Sequence, residues 1–175
     1  ASASLALRSR SASAACLSGV EKLIYMSTAH VYGAPLSGKL IEDSPTTNTH
    51  PYAATHRAAE EIVCQSLRPV GTVLRLSNGV GVPMDATVDC GRLISNDLCR
   101  QAVSGSSLVL SGSGKDIRDF IAISDIAGGV RHFLEMRIEE ARGLFNFASG
   151  NILRTIDLAE LISQRTAFLC GKTPG

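Results

Sequence analysis

Short apolar runs alternate along the chain with longer segments of helical spacing. KLIYMS at 22–27, GTVLRL at 71–76 and GLFNFA at 143–148 are each rich in large apolar residues and bounded by polar or glycine-rich stretches. Runs of this length predict strands, the first of them buried. Residues 51–67 predict a helix. Pro51 suits its first turn, and Ala53, Ala54, Ala58, Ala59, Glu60 and Glu61 are good helix formers or well placed. Further helices are predicted over 92–103, over 125–140 despite the Gly128–Gly129 pair, and over 156–165. Short strands are predicted over 107–110 and 120–123. Residues 28–50 read as a long loop, of a length usually functional or disordered. A second loop runs through Gly79, Gly81 and Pro83, and 111–119 reads as a polar, glycine-rich turn. No internal repeat is evident. The order of elements predicts an α/β domain with a parallel sheet.

The two ends depart from this pattern. The first twenty residues hold six Ser, six Ala and the basic pair Arg8 and Arg10, with no acid before Glu21. That composition resembles an organelle transit peptide. The preferred reading is a small-residue helix over 4–18, its beginning cut away, ending at Gly19, because Leu5, Leu7, Cys16 and Leu17 give it a weak apolar face. The tail over 168–175 has little pattern and is expected to fray.

Composition narrows the function classes. Hydrophobic residues are 45% and charged residues 19%, a folded rather than disordered balance. A net charge of +1 argues against a dedicated nucleic-acid binder. No apolar run approaches the length of a bilayer span. The five cysteines (Cys16, Cys64, Cys90, Cys99, Cys170) form no CxxC pair, so neither zinc nor a disulfide framework is suggested. They read as reduced, mostly buried thiols of a cytoplasmic protein.

Three segments carry candidate chemistry. Ser27, Thr28 and the following AHVYG stand directly after a predicted strand, where a hydroxyl can meet a reacting oxygen. PYAATH at 51–56 sets Tyr52 and His56 four residues apart, on one side of a helix. A phenol needs a neighbouring positive charge or donor network to exchange protons near neutrality, and a cation one turn along could supply it. RLSNGVGVP at 75–83 offers the Asn78 amide at a strand end. Taken singly, each has a structural explanation: turn residues, a surface Tyr above a surface His, an Asx-turn. Gly112–Ser113–Gly114–Lys115 fails as a phosphate loop, because Asp116 follows the Lys and position 109 is not Gly.

The succession of STAHVYG, PYAATH, RLSNGVGVP and GKDIRDFIAISD, extended by FNFASG, resembles the extended short-chain dehydrogenases/reductases of the NAD-dependent epimerase/dehydratase kind. The resemblance covers residues 20 to about 161. It implies the C-terminal part of a Rossmann-type parallel sheet with a small substrate-binding subdomain. The implied division is a partial Rossmann-type domain over 1–90, a substrate-binding region over 91–123, and returning α/β elements with the tail over 124–175. Thr28 matches the family's catalytic Ser/Thr and Tyr52 the Tyr of its YxxxK motif. Ser27, Tyr52 and His56 are implied cofactor contacts. Asn78 and Arg118 are implied substrate contacts, Arg118 through the substrate's diphosphate, which a planar guanidinium suits. The implied cofactor is NAD or NADP, and the implied partners are a nucleotide-sugar and a second copy of the chain; no metal is implied.

Two departures stand out. His56 occupies the place of the family's Lys, so a charge there would be partial and pH-dependent. This fits a divergent working subgroup somewhat better than a weakened or lost activity. The family's GxxGxxG loop, which cradles the cofactor diphosphate, is not in this sequence, which begins at about the family's fourth helix. The expectation is a nucleotide-sugar oxidoreductase or isomerase seen as a fragment. The alternatives are a non-catalytic interaction module and a dehydrogenase/reductase of a non-sugar alcohol or ketone. A serine hydrolase is disfavoured, since there is no GxSxG and the four histidines (His30, His50, His56, His132) fit no triad spacing.

Overall fold

The structure, a computed structural model, describes residues 14–171 except Cys16, Ala86 and Ser106. Most of the small-residue helix expected over 4–18, and the end of the tail over 172–175, lie outside the described residues. The chain forms two compact units, the first comprising residues up to Ser77 together with Ser124–Ala148, the second Asn78–Ile123 with Ser149 onward. The sequence reading drew its divisions after residues 90 and 123.

The first unit is built on a parallel sheet. Strands β1 (Lys22–Thr28) and β5 (Gly143–Phe147) flank β2 (Val70–Leu76), all three parallel. β2 is buried from Val70 to Arg75, as expected of a central parallel strand covered on both faces. The three strands end in step, with Thr28 opposite Leu76 and Leu76 opposite Phe147.

Strand alternation gives the sheet two different faces. Ile24, Met26, Leu74, Leu76, Phe145 and Phe147 gather with Phe133 and Ala141 in an apolar core. Phe133 belongs to α3 (Ile123–Glu135), and Ala141 to the single turn α4 (Ile138–Ala141). The helix expected over 125–140 is thus two helices. Lys22 reaches from β1 to the carbonyls at the end of α3, donating to Leu134 O at 2.5 Å and also to Met136 O. A cation at that point complements both the unpaired carbonyls and the helix dipole.

The opposite face carries α1 (Pro51–Gln65), which buries Ala53, His56, Ala59, Glu60 and Val63. Its approach is close. A Cβ on Gly71 of β2 would stand 2.0 Å from the Val63 carbonyl oxygen, so only glycine fits there. His50 caps α1, its Nδ1 accepting from the Tyr52 N–H at 3.2 Å. The loop over 32–50 is held down along its length. Arg57 donates to Thr46 O at 2.8 Å, Asn48 to His30 O at 2.7 Å, and Thr47 to Tyr32 O at 2.8 Å.

In the second unit β4 (Ile117–Ala122) pairs in parallel with β3 (Asn78–Val80) and antiparallel with β6 (Ile152–Arg154). Helices α2 (Ile94–Ser104) and α5 (Thr155–Cys170) pack together around Leu98, Leu158 and Ala159. β3 and β6 are three residues each, too short to show a period, and the sequence pattern read β3 as loop. The strand expected over 107–110 does not form. Leu108 and Leu110 do turn into the α2–α5 core, but the Gln101 side chain takes the place of a partner strand. Its Oε1 accepts from Val109 N at 2.7 Å, and its Nε2 donates to Val109 O at 3.4 Å. The last helix runs on to Cys170, past the point where fraying was expected. Cys170 is exposed, as are Cys64 and Cys99, and Cys90 is half-buried, so the mostly buried thiols expected are not found among the described cysteines.

The Gly128–Gly129 pair in α3 separates two kinds of glycine. At Gly128 an added Cβ meets nothing within 4 Å, whereas at Gly129 it would stand 2.0 Å from Phe147 Cζ. Gly128→Ala is therefore expected to stabilise the chain by about 0.5–1 kcal/mol, through helix propensity and a stiffer unfolded state. Gly129→Ala is expected to destabilise it by about 1–3 kcal/mol through overpacking. Urea unfolding of the two variants checks the opposite signs.

Candidate functional site

In the first unit the polar face of the sheet and the buried face of α1 are matched residue by residue. Tyr25 and Ser27 lie two apart on β1 and so share a face; His56 and Glu60 lie one turn apart on α1. The two spacings are nearly equal, about 6.6 Å along a strand and about 6 Å along a helix. Tyr25 Oη sits 2.9 Å from His56 Nδ1, and Ser27 Oγ donates to Glu60 Oε1 at 2.5 Å.

Arg75, opposite Ser27 in the β1–β2 register, completes the ladder. It grips Glu60 in a forked pair, with Nη2 to Oε2 at 2.7 Å and Nε to Oε1 at 3.0 Å. The side chains of the pair are 6% and 4% exposed. The Arg75 guanidinium also lies 4.7 Å over the Tyr32 ring, and its Nη1 donates to Glu42 O at 3.2 Å. Burial works against this charge, and the bonds to Glu60 and Tyr32 outweigh it, holding Arg75 above its ordinary value. Tyr32 Oη in turn donates to Asn146 Oδ1 at 2.6 Å. The Asn146 N–H donates to the Glu42 carboxylate at 2.7 Å, and that bond is the main reason the Glu42 carboxyl is held below the usual glutamate range. Among the described residues no buried side-chain nitrogen or oxygen lacks a hydrogen-bond partner.

The residues singled out from sequence occupy distinct positions in this frame. Tyr52, on the first turn of α1, is 52% exposed, and its ring stands 4.6 Å from that of His56, inclined at 59°. His56 itself is buried, 7% exposed. The shared helix side expected from their spacing is therefore a direct ring contact. Thr28 ends β1 and is buried, and its Oγ1 accepts from His30 N at 3.2 Å, capping the short 3-10 turn Ala29–Val31 against which α1 packs. Ser27 is buried too, with its hydroxyl given to Glu60. Tyr25, Glu60 and Arg75 were not singled out from sequence. Tyr25 and Arg75 lie in strand runs that read as core, and Glu60 read only as a helix former.

The second unit holds Asn78 and Arg118. Asn78 Nδ2 donates to Asp119 O at 2.9 Å across the β3–β4 pair. Arg118, half-buried, lies beside Asp119 on β4 opposite Leu153 of β6. The Asp119 carboxylate accepts from both the N–H and the hydroxyl of Ser149, each at 3.0 Å. A cavity of about 550 Å³ opens in the same unit, lined by Val80, Gly81, Pro83, Cys90, Asn96 and Arg100 among others. Asn96 spans it, donating to Gly81 O and Cys90 Sγ, both at 3.2 Å. Among the described residues no group of three or more His, Cys, Asp or Glu could hold a metal, and no helix is long and apolar enough to cross a membrane.

Comparison with known proteins agrees with the resemblance seen in the motifs. Residues 3–148 match the model of the NAD dependent epimerase/dehydratase family. The chain is similar to the UDP-glucose 4-epimerase of Azospirillum brasilense, 33% identical over 130 residues, which are 65% of this chain and 37% of that protein. It is also similar to UDP-glucose 4-epimerase 4 of Oryza sativa subsp. japonica, 30% identical over 171 residues, 84% of this chain and 46% of that protein. The chain therefore spans less than half the length of these relatives. In fold it is similar to MoeE5, solved in complex with UDP-glucose and NAD, with a TM-score of 0.76 at 23% identity over 95% of this chain and 54% of that one.

The forked pair sets the energetics of the first unit. Arg75→Met strands Glu60 in a dry site and is expected to cost about 3–5 kcal/mol, while the double variant Glu60→Met/Arg75→Met costs about 2 kcal/mol less than the two singles summed. A double-mutant cycle in urea measures this coupling. On the acid side, the lowered Glu42 carboxyl contributes stability that is complete above the ordinary glutamate range and lost as pH falls through the folded value. Glu42→Gln is expected to flatten that part of the stability–pH curve.

Proposed function

The chain belongs to the NAD dependent epimerase/dehydratase family, and from that premise we propose that the intact protein is a nucleotide-sugar oxidoreductase of the epimerase/dehydratase type, in which Tyr52 exchanges a proton with a sugar hydroxyl. The observation that carries this reading is the setting of Tyr52. Its phenol is exposed on the first turn of α1, its ring rests on His56, and α1 packs against the turn that leaves β1 at Thr28. The aligned carboxyl ends of parallel strands are where ligands sit in such sheets.

NAD or NADP, when bound, supplies the acceptance and return of a hydride. The residues here do the rest. Tyr52 Oη enters as the phenolate, takes the hydroxyl proton as the sugar carbon becomes a carbonyl, and as the phenol gives that proton back when the carbonyl is reduced. Thr28 Oγ1 accepts from His30 N, which leaves its own hydrogen to be donated to that sugar oxygen. Ser27 acts at a distance, holding Glu60 and with it the seat of α1.

The fit of these residues to a nicotinamide cofactor is uneven. Tyr52 is open to a ligand laid against it. His56 is buried under Tyr52 with Nδ1 engaged by Tyr25, which favours a role beneath the phenol over that of a cation reaching for ribose hydroxyls. In the second unit, Arg118 offers a planar guanidinium of the kind that suits a diphosphate, and the cavity beside β3 is a concave surface of that same unit. The UDP-sugar relatives support that substrate class.

In the full-length protein supplied with NAD and UDP-glucose, Tyr52→Phe is expected to lower turnover by about 10²–10⁴-fold. Wild-type turnover in that variant refutes the reading.

A further inference from the structure

His56 is held between two tyrosines. Tyr52 lies above it on the same helix, ring centroids 4.6 Å apart. Tyr25 approaches from β1 with ring centroids 5.8 Å apart, and its hydroxyl is 2.9 Å from Nδ1. That bond does two things to an imidazole. It stops the ring from turning over, and it decides which nitrogen carries the proton, because a neutral imidazole has one donor and one acceptor.

The sense of the bond follows from the donors available to it. Glu60, one turn along the buried face of α1, already accepts from Ser27 and from both Nε and Nη2 of Arg75. Its charge is matched by Arg75. With the imidazole neutral, two arrangements satisfy the Tyr25 contact. In one the phenol donates to Nδ1; in the other Nδ1–H donates to the phenol oxygen. A phenol is the better donor of the two groups, being far the more acidic, and donation from it is the stronger bond.

We propose that Tyr25 is a positioning residue for the Tyr52 site: its hydroxyl donates to His56 Nδ1 and locks the imidazole in the tautomer with its proton on Nε2. Where a lysine would bring a fixed charge, this chain brings a ring of fixed orientation and fixed polarity, packed against the Tyr52 phenol. The functional consequence rests on the reading of Tyr52 as the proton-exchanging group; the tautomer itself does not.

The test is nitrogen NMR of the ¹⁵N-labelled full chain at about pH 8, above the ordinary histidine range, with the His56 signals assigned by their loss in His56→Gln. The expected wild-type spectrum has Nδ1 unprotonated and Nε2 protonated. In Tyr25→Phe the two signals move towards the averaged positions of an unlocked imidazole. The reverse tautomer, a doubly protonated ring, or a pattern unchanged by Tyr25→Phe overturns the proposal. Because the wild-type spectrum alone distinguishes the tautomers, poor folding of the variant does not shield the proposal. In the full-length enzyme, Tyr25→Phe is expected to lower kcat about fivefold with little change in KM, the scale of one ordinary hydrogen bond. An unchanged kcat overturns the positioning role. A Tyr52→Phe enzyme with wild-type turnover instead removes the functional reading and leaves the tautomer assignment standing.

Discussion

The buried pair of Arg75 and Glu60 is the constraint on which the first unit depends. Two charges between a helix and a sheet are costly to desolvate, and are tolerable only when both are fully engaged. Glu60 accepts from Arg75 and Ser27, and Arg75 adds a carbonyl and the face of Tyr32. The arrangement also specifies geometry. Sliding α1 by one residue along β1 would separate Ser27 from Glu60 and Tyr25 from His56 together. A greasy interface would tolerate such a slip far better, since apolar contact is non-directional. The opposite face of the same sheet, with Phe133, Phe145 and Phe147, is of that tolerant kind.

The same network reaches the long loop and through it the candidate site. Arg75 and Asn146 hold the loop near Glu42, Arg57 holds it at Thr46, and His50 caps the helix on which Tyr52 stands. Tyr52 is thus exposed at the start of a helix whose seating is decided several residues away. That division suits the role proposed for Tyr52: the parts that seat the helix are buried, and the phenol is on the first turn.

Much of this was legible in the chain. The apolar runs located β1, β2 and β5, because one face of each strand packs into the apolar core around Leu74 and Phe133. Pro51 marked the start of α1, and the spacing of Tyr52 and His56 placed them together. The short pairings were not legible. β3 and β6 are defined by what lies opposite them in β4, and residues 107–110 have a strand's pattern without a strand's partner. Gly129 looked like a weakness in a helix; its reason is the Phe147 ring pressed against it from a strand beyond the end of that helix.

By itself, then, the sequence determined the class of fold and the order of its main elements, since these follow from local periodicity, and the succession of its motifs carried the resemblance to the family. Only the tertiary structure decided how His56 is held. Spacing set it beneath Tyr52, but whether it stands there as an outward cation or a buried, bonded ring depends on Tyr25, thirty-one residues earlier on another element. No local pattern encodes that contact, because a tyrosine in an apolar run reads as core whether or not its hydroxyl has a partner.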